Sequence, residues 1–313
     1  MLYTIRKFFR CMADLPRFMH YTSNPRVIMT LLVKNEADII AANLEFHHQM
    51  GVDGFVVTDN CSSDETPAIL EEYKRRGWIL EIIHEPATGY EQKMWVDRMV
   101  WIAKTKYKAD WIINADADEF WHPTSGNVKD IVSCTRANAL ICDIVNVYPT
   151  EDEKWYEWEN CAEPPHSLPL NPPQLHPYSI FSKHRHKVMH RADGYLQIHM
   201  GNHKVWMLPR LRETINSLVI YHYNYRGMEH FVRKMTNGYQ ELQAHKGKHG
   251  GRHWRYFGEL LKQQSPDEIY AGVVERDQLN ELTQAGYLHE NPIQPLLRVI
   301  VSKLGPNLVR VTD

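Results

Sequence analysis

The chain has 313 residues, of which 43% are hydrophobic and 24% charged, enough for one large domain or a domain with a subdomain. A net charge of -2 and a pI near 6.8 give no overall basic field of the kind that draws a protein to nucleic acid. No apolar run is long enough to span a bilayer, and the opening "MLYTIRKFFRCMADLPRFMHYTSNPR" lacks the continuous apolar core and cleavage site of a signal peptide. Five scattered cysteines (Cys11, Cys61, Cys134, Cys142, Cys161) show neither metal spacing nor a disulfide framework, so the expected setting is a reducing cytoplasm.

The first half alternates between two periods. "VIMTLLV" (27–33) is a continuous apolar run, as expected of a strand buried on both faces. "EADIIAANLEFHHQMG" (36–51) puts Ile40, Leu44 and His47 on one helical face and ends at Gly51. "GFVVT" (54–58) predicts the next strand. "SSDETPAILEEYKRRG" (62–77) predicts a helix with a capping box from Ser62 to Glu65 and a stop at Gly77. "WILEIIH" (78–84) reads as a third strand, and 90–107 as a helix with Met94, Val100 and Trp101 as core contacts. "DWIINADAD" is expected to be a fourth strand and "NALICDIVNVY" (138–148) a fifth.

From 149 to 177 the texture turns to Pro, Trp and carboxylates without a period. We read it as a long functional loop whose Trp155 and Trp158 offer flat apolar faces to a ligand. Further on, 265–286 predicts a helix with Ser265 as cap, Pro266 in its first turn and Gly286 at its end. The expected organisation is a basic, aromatic N-terminal segment (1–24), a catalytic domain (25–240) and a C-terminal helical extension (241–313).

Strands alternating with helices at this spacing argue for right-handed crossovers and a mainly parallel sheet covered on both faces. Ligands of such sheets bind beyond the carboxyl ends of the strands. Three polar segments fall at those ends: "KNE" (34–36), "DNCSSDE" (59–65) and "DADE" (116–119). Carboxylates there cap a helix, hold a divalent cation, or act as acid and base. On an extended backbone, residues two apart face the same way, so Asp116 and Asp118 are expected to reach one point, and two hard oxygen ligands suit Mg²⁺ or Mn²⁺.

The order "LLVKNEADII", "VVTDNCSSDET", "WIINADADEFW" resembles the GT-A glycosyltransferases, specifically a family-2-like group with a D-x-D-E-F motif, and "IYHYNYRGMEHFVRKMTNG" resembles that group's C-terminal strand and helix. The likeness covers roughly residues 27 to 240. It implies a Rossmann-like α/β fold with C-terminal helices, and transfer of a sugar from a UDP-linked donor to a glycan or lipid-linked acceptor. Asp116 and Asp118 match the metal pair that holds Mn²⁺ or Mg²⁺ against the diphosphate. Asn35, Glu36 and Asp59 match nucleotide-binding positions, Asp59 reading base or ribose. Lys93 and Arg98 lie on the helix that faces the donor. Glu119 orients the sugar or binds backbone, while Phe120 and Trp121 form a stacking wall or core. A further metal ligand is expected from His203 or His222, with His222 preferred. The catalytic base is assigned to Asp152 in "TEDE", with Glu151, Glu153, Glu157, Glu159 and Asp193 as the other candidates.

Two rival readings use the same aspartates: a metal-dependent phosphoesterase or nucleotidyltransferase, and a non-catalytic module that binds nucleotide-sugars or glycans. The N-terminal segment, with Arg6, Lys7, Arg10 and Arg17 among Phe8, Phe9, Met12, Leu15 and Phe18, is expected to lie on the inner face of a membrane or to pack against a second subunit.

Overall fold

The apolar runs at 27–33 and 54–59 become β1 (Val27–Val33) and β2 (Gly54–Asp59), and both are buried on both faces. Their period of two decides which layer each residue serves. Val27, Met29, Leu31 and Val33 join one core with α1 (Ile40–Gln49) and α2 (Thr66–Arg75), while Ile28 and Val56 join another under α3 (Gln92–Thr105). Helices therefore cover both faces, as the alternation predicts. The computed structural model describes residue 14 and residues 22–86, 92–151, 154–183, 185–244 and 251–305.

β3 (Ile79–His84) and β4 (Trp111–Asp116) extend the parallel part: β2 pairs β1 and β3, and β1 pairs β4, all parallel. The remainder is mixed. β6 (Ala139–Val147) lies beyond β8 (Lys187–Arg191), which is antiparallel to both β4 and β6. β11 (Arg212–His222) runs parallel to β6 and antiparallel to β5 (Glu119–Pro123). β7 (Asn160–Ala162) pairs β6, and β12 (Leu288–Glu290) pairs β7. β9 (Tyr195–Ile198) and β10 (Val205–Met207) make a separate hairpin. The chain is an α/β fold, as expected, but one half of its sheet is mixed rather than parallel, because β8 runs reversed between β4 and β6, β5 reversed beside β11 and β7 reversed beside β6.

α4 (Val128–Cys134) closes the parallel half. α5 (Met228–Ala244), α6 (Arg252–Leu260), α7 (Pro266–Val273) and α8 (Leu279–Gln284) build a third core around Phe231, Phe257 and Tyr270. α9 (Gln294–Lys303) returns to pack on α1. Among the described residues, no helix is long and apolar enough to cross a membrane.

Several local expectations are corrected. The helix expected over 62–77 begins at Thr66, because Ser62 is spent on the backbone N–H of Asn35 (2.9 Å). The helix expected over 265–286 is split: Ser265 caps it as predicted, but Glu275 takes a left-handed φ of 53° and the chain restarts at Leu279. Met94 is exposed rather than core. Trp155 and Trp158 are buried against Phe120 and Tyr223, so they present no open face to a sugar. Phe120 and Trp121 are core as well.

Candidate active site

The fourth strand stops at Asp116. Ala117 and Asp118 form a turn, and the chain resumes as β5 at Glu119. The Asn43 amide of α1 holds this turn by donating to the carbonyls of Ala117 and Glu119, at 2.9 Å each. The Glu119 carboxylate closes it by accepting from the Asp116 N–H at 3.2 Å. A turn thus replaces the extended backbone expected here, and the two carboxylates meet different cations.

Asp116 accepts from Lys187 Nζ at 2.7 Å, and Lys187 also pairs with the buried Glu119. Burial alone would lower the Lys187 pKa; Asp116 and Glu119 outweigh it and raise it. Burial pushes the Glu119 carboxyl up against the opposing pull of Lys187. His203 stands at the rim of this group, with Nδ1 2.9 Å from the carbonyl of His186.

Asp118 is the centre of a second group. The end of β11 brings His222 opposite Glu119, and the Tyr223 N–H binds the Asp118 carbonyl at 2.8 Å. His222 Nε2 then lies 3.5 Å from Asp118 Oδ1. Lys234, from α5, donates to Asp118 Oδ2 at 2.7 Å and to Asn224 Oδ1 at 3.0 Å. Burial alone would raise the Asp118 pKa; Lys234 and then His222 and Arg226 outweigh it and hold the carboxyl well below the usual range. Asp118 is thus a carboxylate at any physiological pH.

Arg226 joins this group to the end of β1. Its Nε donates to Asp38 Oδ2 at 2.6 Å and its Nη2 to Glu36 Oε2 at 2.6 Å. Nη1 lies 4.0 Å from Asp118 Oδ2, and this buried atom has no hydrogen-bond partner among the described residues. Burial opposes the charge on Glu36 and raises its pKa to about 7, with Arg226 pulling the other way.

Of the expected nucleotide-binding residues, Asn35 joins two loops and Asp59 closes its own turn. Asn35 has a φ of 56°, a conformation Asn tolerates, and its Oδ1 accepts from the Ser63 N–H at 2.7 Å. Asp59 Oδ1 accepts from the Ser62 N–H at 3.1 Å. Lys93 is exposed on the first turn of α3, and Arg98 is 2.8 Å from Glu85. Asp152 and Glu153 lie outside the described residues. Glu151 pairs with Arg276, and Asp193 lies 3.8 Å from Lys104.

Among the described residues, no group of three or more His, Cys, Asp and Glu side chains is placed to hold a metal ion. Asp118 and His222 do adjoin as an oxygen and a nitrogen donor, and a hard divalent cation that takes the rest of its shell from phosphate and water needs no fuller protein cage. This two-donor set fits such a cation; Asp116 and Asp118 each also accept from a lysine at 2.7 Å. Sequence reasoning missed Arg226, Lys234, Lys187 and Asp38. Arg226 and Lys234 stood in the quoted segment "NYRGMEHFVRK", and the available signal was two cations following a strand that ends in His222.

Residues 28–252 match the model of Glycosyltransferase family 92. Among solved structures, the chain is similar to TarS 1-349 of S. aureus in complex with UDP, at 14% identity over 89% of this chain and 87% of that one, with a TM-score of 0.40. It is similar to a second S. aureus TarS structure at 12% identity over 90% of this chain and 54% of that one, with a TM-score of 0.39. A mycobacterial protein matches at 14% identity over 40% of this chain and 42% of that one, with a TM-score of 0.28. No curated protein matches the chain.

Proposed function

The chain belongs to glycosyltransferase family 92 and is an enzyme that transfers glycosyl groups, and from that premise we propose that its donor is a nucleotide-diphosphate sugar, UDP-linked, and its acceptor a glycan or a lipid-linked glycan. The observation that carries this reading is the meeting of Lys234, Arg226 and His222 on the one carboxylate of Asp118. A glycosyl transfer from such a donor releases a diphosphate, whose charge grows as the bond to the sugar breaks. Fixed cations aimed at that charge lower the barrier, because they need no reorganisation as it develops.

Arg226 is held for this task by Glu36 and Asp38, which fix two faces of its guanidinium and leave Nη1 as a buried donor without a bond. Lys234 is the mobile counterpart: its side chain is 28% exposed and reaches the site from a helix. In this reading it exchanges the Asp118 carboxylate for a phosphate oxygen. Asp118 and His222 would hold Mn²⁺ or Mg²⁺, which when bound neutralises diphosphate charge. Glu119 and Lys187 keep the turn rigid under the sugar.

The test is binding followed by turnover. UDP with Mn²⁺ is expected to raise the unfolding temperature of the protein, since a ligand at a hundredfold excess over its Kd stabilises by about 2.7 kcal/mol. Asp118→Asn should abolish the Mn²⁺-dependent part of that shift. UDP release from a panel of UDP-sugars should then rise when an acceptor glycan is added. Equal Mn²⁺-dependent UDP affinity in Asp118→Asn and the parent would overturn the reading.

A further inference from the structure

We propose that the face formed by the β9–β10 hairpin and the first turn of α3 docks on an anionic membrane surface. Three large apolar side chains stand out from it: Met94 is 66% exposed, Trp206 58% and Met200 42%. Scattered exposed apolar residues are ordinary on a folded protein; three on adjoining elements, one of them Trp, are not. The elements do adjoin. Tyr195 of β9 lies against Trp101 of α3 and donates to Asp97 at 2.7 Å, which aligns the hairpin with that helix. The turn Met200–Asn202 packs against the same helix, and Trp206 lies beside His199 with ring centroids 5.9 Å apart.

Four cations stand around these apolar groups. The ionisable neighbours that act on His199 are Lys93, Lys204 and Arg212; burial first and then these cations lower its pKa, and no carboxylate opposes them. Arg210 stands close enough to Arg212 to lower its pKa in turn. None of these four cations forms an ion pair among the described residues. A protein surface left cationic in this way repels a second copy of itself and attracts anionic headgroups. The apolar tips suit the layer just beneath the headgroups, where Trp is favoured.

The position of the face is consistent with its use. Asn202 donates to the carbonyl of Asn114 at 3.2 Å, two residues before Asp116, so the apolar turn sits at the end of the sheet that carries the aspartates. A membrane under this face would lie beside the site rather than behind it. The proposal concerns surface chemistry and stands whether or not the donor is a UDP-sugar. Asp14, the described residue of the N-terminal segment, pairs with Lys104 near the other end of α3 and accepts from the Gly194 N–H at 3.3 Å.

Vesicle flotation of the full chain tests it. With phosphatidylcholine containing phosphatidylglycerol at low salt the protein should float; with phosphatidylcholine alone, or at high salt, it should not. Each cation near such a surface contributes about fivefold in partitioning, so Lys204→Glu with Arg210→Glu should lower binding by roughly 25-fold or more. Trp206→Ser alone should weaken binding without removing its salt dependence. All three changes fall on exposed side chains, and circular dichroism confirms the fold of each variant. A parent chain that stays unbound on anionic vesicles at low salt overturns the proposal. So does equal binding to neutral vesicles, and so do variants that float as the parent does, which would assign binding to another surface.

Discussion

Two sets of polar groups are buried beside β4 and β5, and they differ in one respect. The first set is neutral and closed. Thr30 donates to Asn114 Oδ1 at 2.8 Å, Asn114 Nδ2 donates to His190 Nε2 at 3.0 Å, and His190 Nδ1 donates to the Arg191 carbonyl at 2.8 Å. On the other side of the sheet His47 Nδ1 donates to the Asn43 carbonyl at 2.8 Å, and its Nε2 accepts from the Trp121 N–H at 3.0 Å. The second set, around Asp118, is charged and open: Arg226 keeps a buried donor without a bond, and Lys234 is held by groups it can leave. Closed neutral networks hold shape, since each bond lost leaves a buried group unsatisfied. Open charged ones store interaction strength for a ligand. The comparison predicts that changes in the first set act on stability and changes in the second on turnover.

The largest effect should come from Lys234→Met. Removing one charge that meets a developing oxyanion costs on the order of 10²–10³ in kcat. The unfolding midpoint should barely move, because Lys234 is partly exposed and Asp118 keeps His222 and Arg226. Steady-state UDP release beside a denaturant titration reads both. A large loss of stability with little loss of turnover would reverse the comparison.

His47→Leu should do the opposite. It leaves the buried Trp121 N–H without an acceptor and costs roughly 3 kcal/mol of stability. Turnover measured well below the melting temperature should change less than about threefold. Urea unfolding of the variant and the parent supplies the number.

Acid should act on the two sets differently: in the open set Glu36, its pKa raised to about 7, takes up a proton first, while the closed set resists protonation at a cost in stability. Burial lowers the pKa of His47 to about 3 and of His190 to about 4, against an ordinary value near 6.5. Their folded-state pKa values are depressed, so below pH 6.5 the unfolded chain binds protons that the folded chain refuses. Stability is full above pH 6.5 and falls towards pH 4 by about 1.4 kcal/mol per pH unit for each histidine. The depressed carboxyl of Asp118 contributes stability that is fully present above its ordinary value near 3.8 and is lost only as the pH falls below it. Glu36, whose raised pKa favours the fold as the pH falls, offsets part of the total slope, so the measure is the difference in unfolding free energy between parent and His47→Leu from pH 7 to pH 4.5, which should equal one histidine's share.

The smallest effect sharpens the boundary. Lys34 pairs with Glu241 across the rim of the site, with both side chains partly exposed. Exposed pairs contribute little, so Lys34→Ala should shift stability by less than about 0.5 kcal/mol. A shift of several kcal/mol in thermal or urea unfolding would mean that the rim belongs to the load-carrying network rather than to the solvent.

Part of this was legible beforehand. The strands β1 to β4 follow from apolar runs of the right length between turn residues, and polar segments fall at the ends of β1, β2 and β4 as read. His222, too, was legible from its place after an apolar run. The exposure of Met94 was not: it sits on the helix expected to be core, but at a position that no strand covers. Trp155 and Trp158 were misread because Pro-rich composition suggests a surface loop, while Trp155 packs on Phe120 and Tyr223 and Trp158 stacks on Tyr223.

By itself the sequence determined the alternation of strands and helices, the two faces of β1 and β2, and the carboxylates at strand ends. Each of these depends on residues within one element, where the periods of 2 and 3.6 act directly. The tertiary structure alone decided which cations Asp116 and Asp118 meet. Lys234 reaches Asp118 across 116 residues of chain, and Arg226 reaches Glu36 across 190. Such contacts are set by where β11 and α5 return to the sheet, and no local period encodes that return.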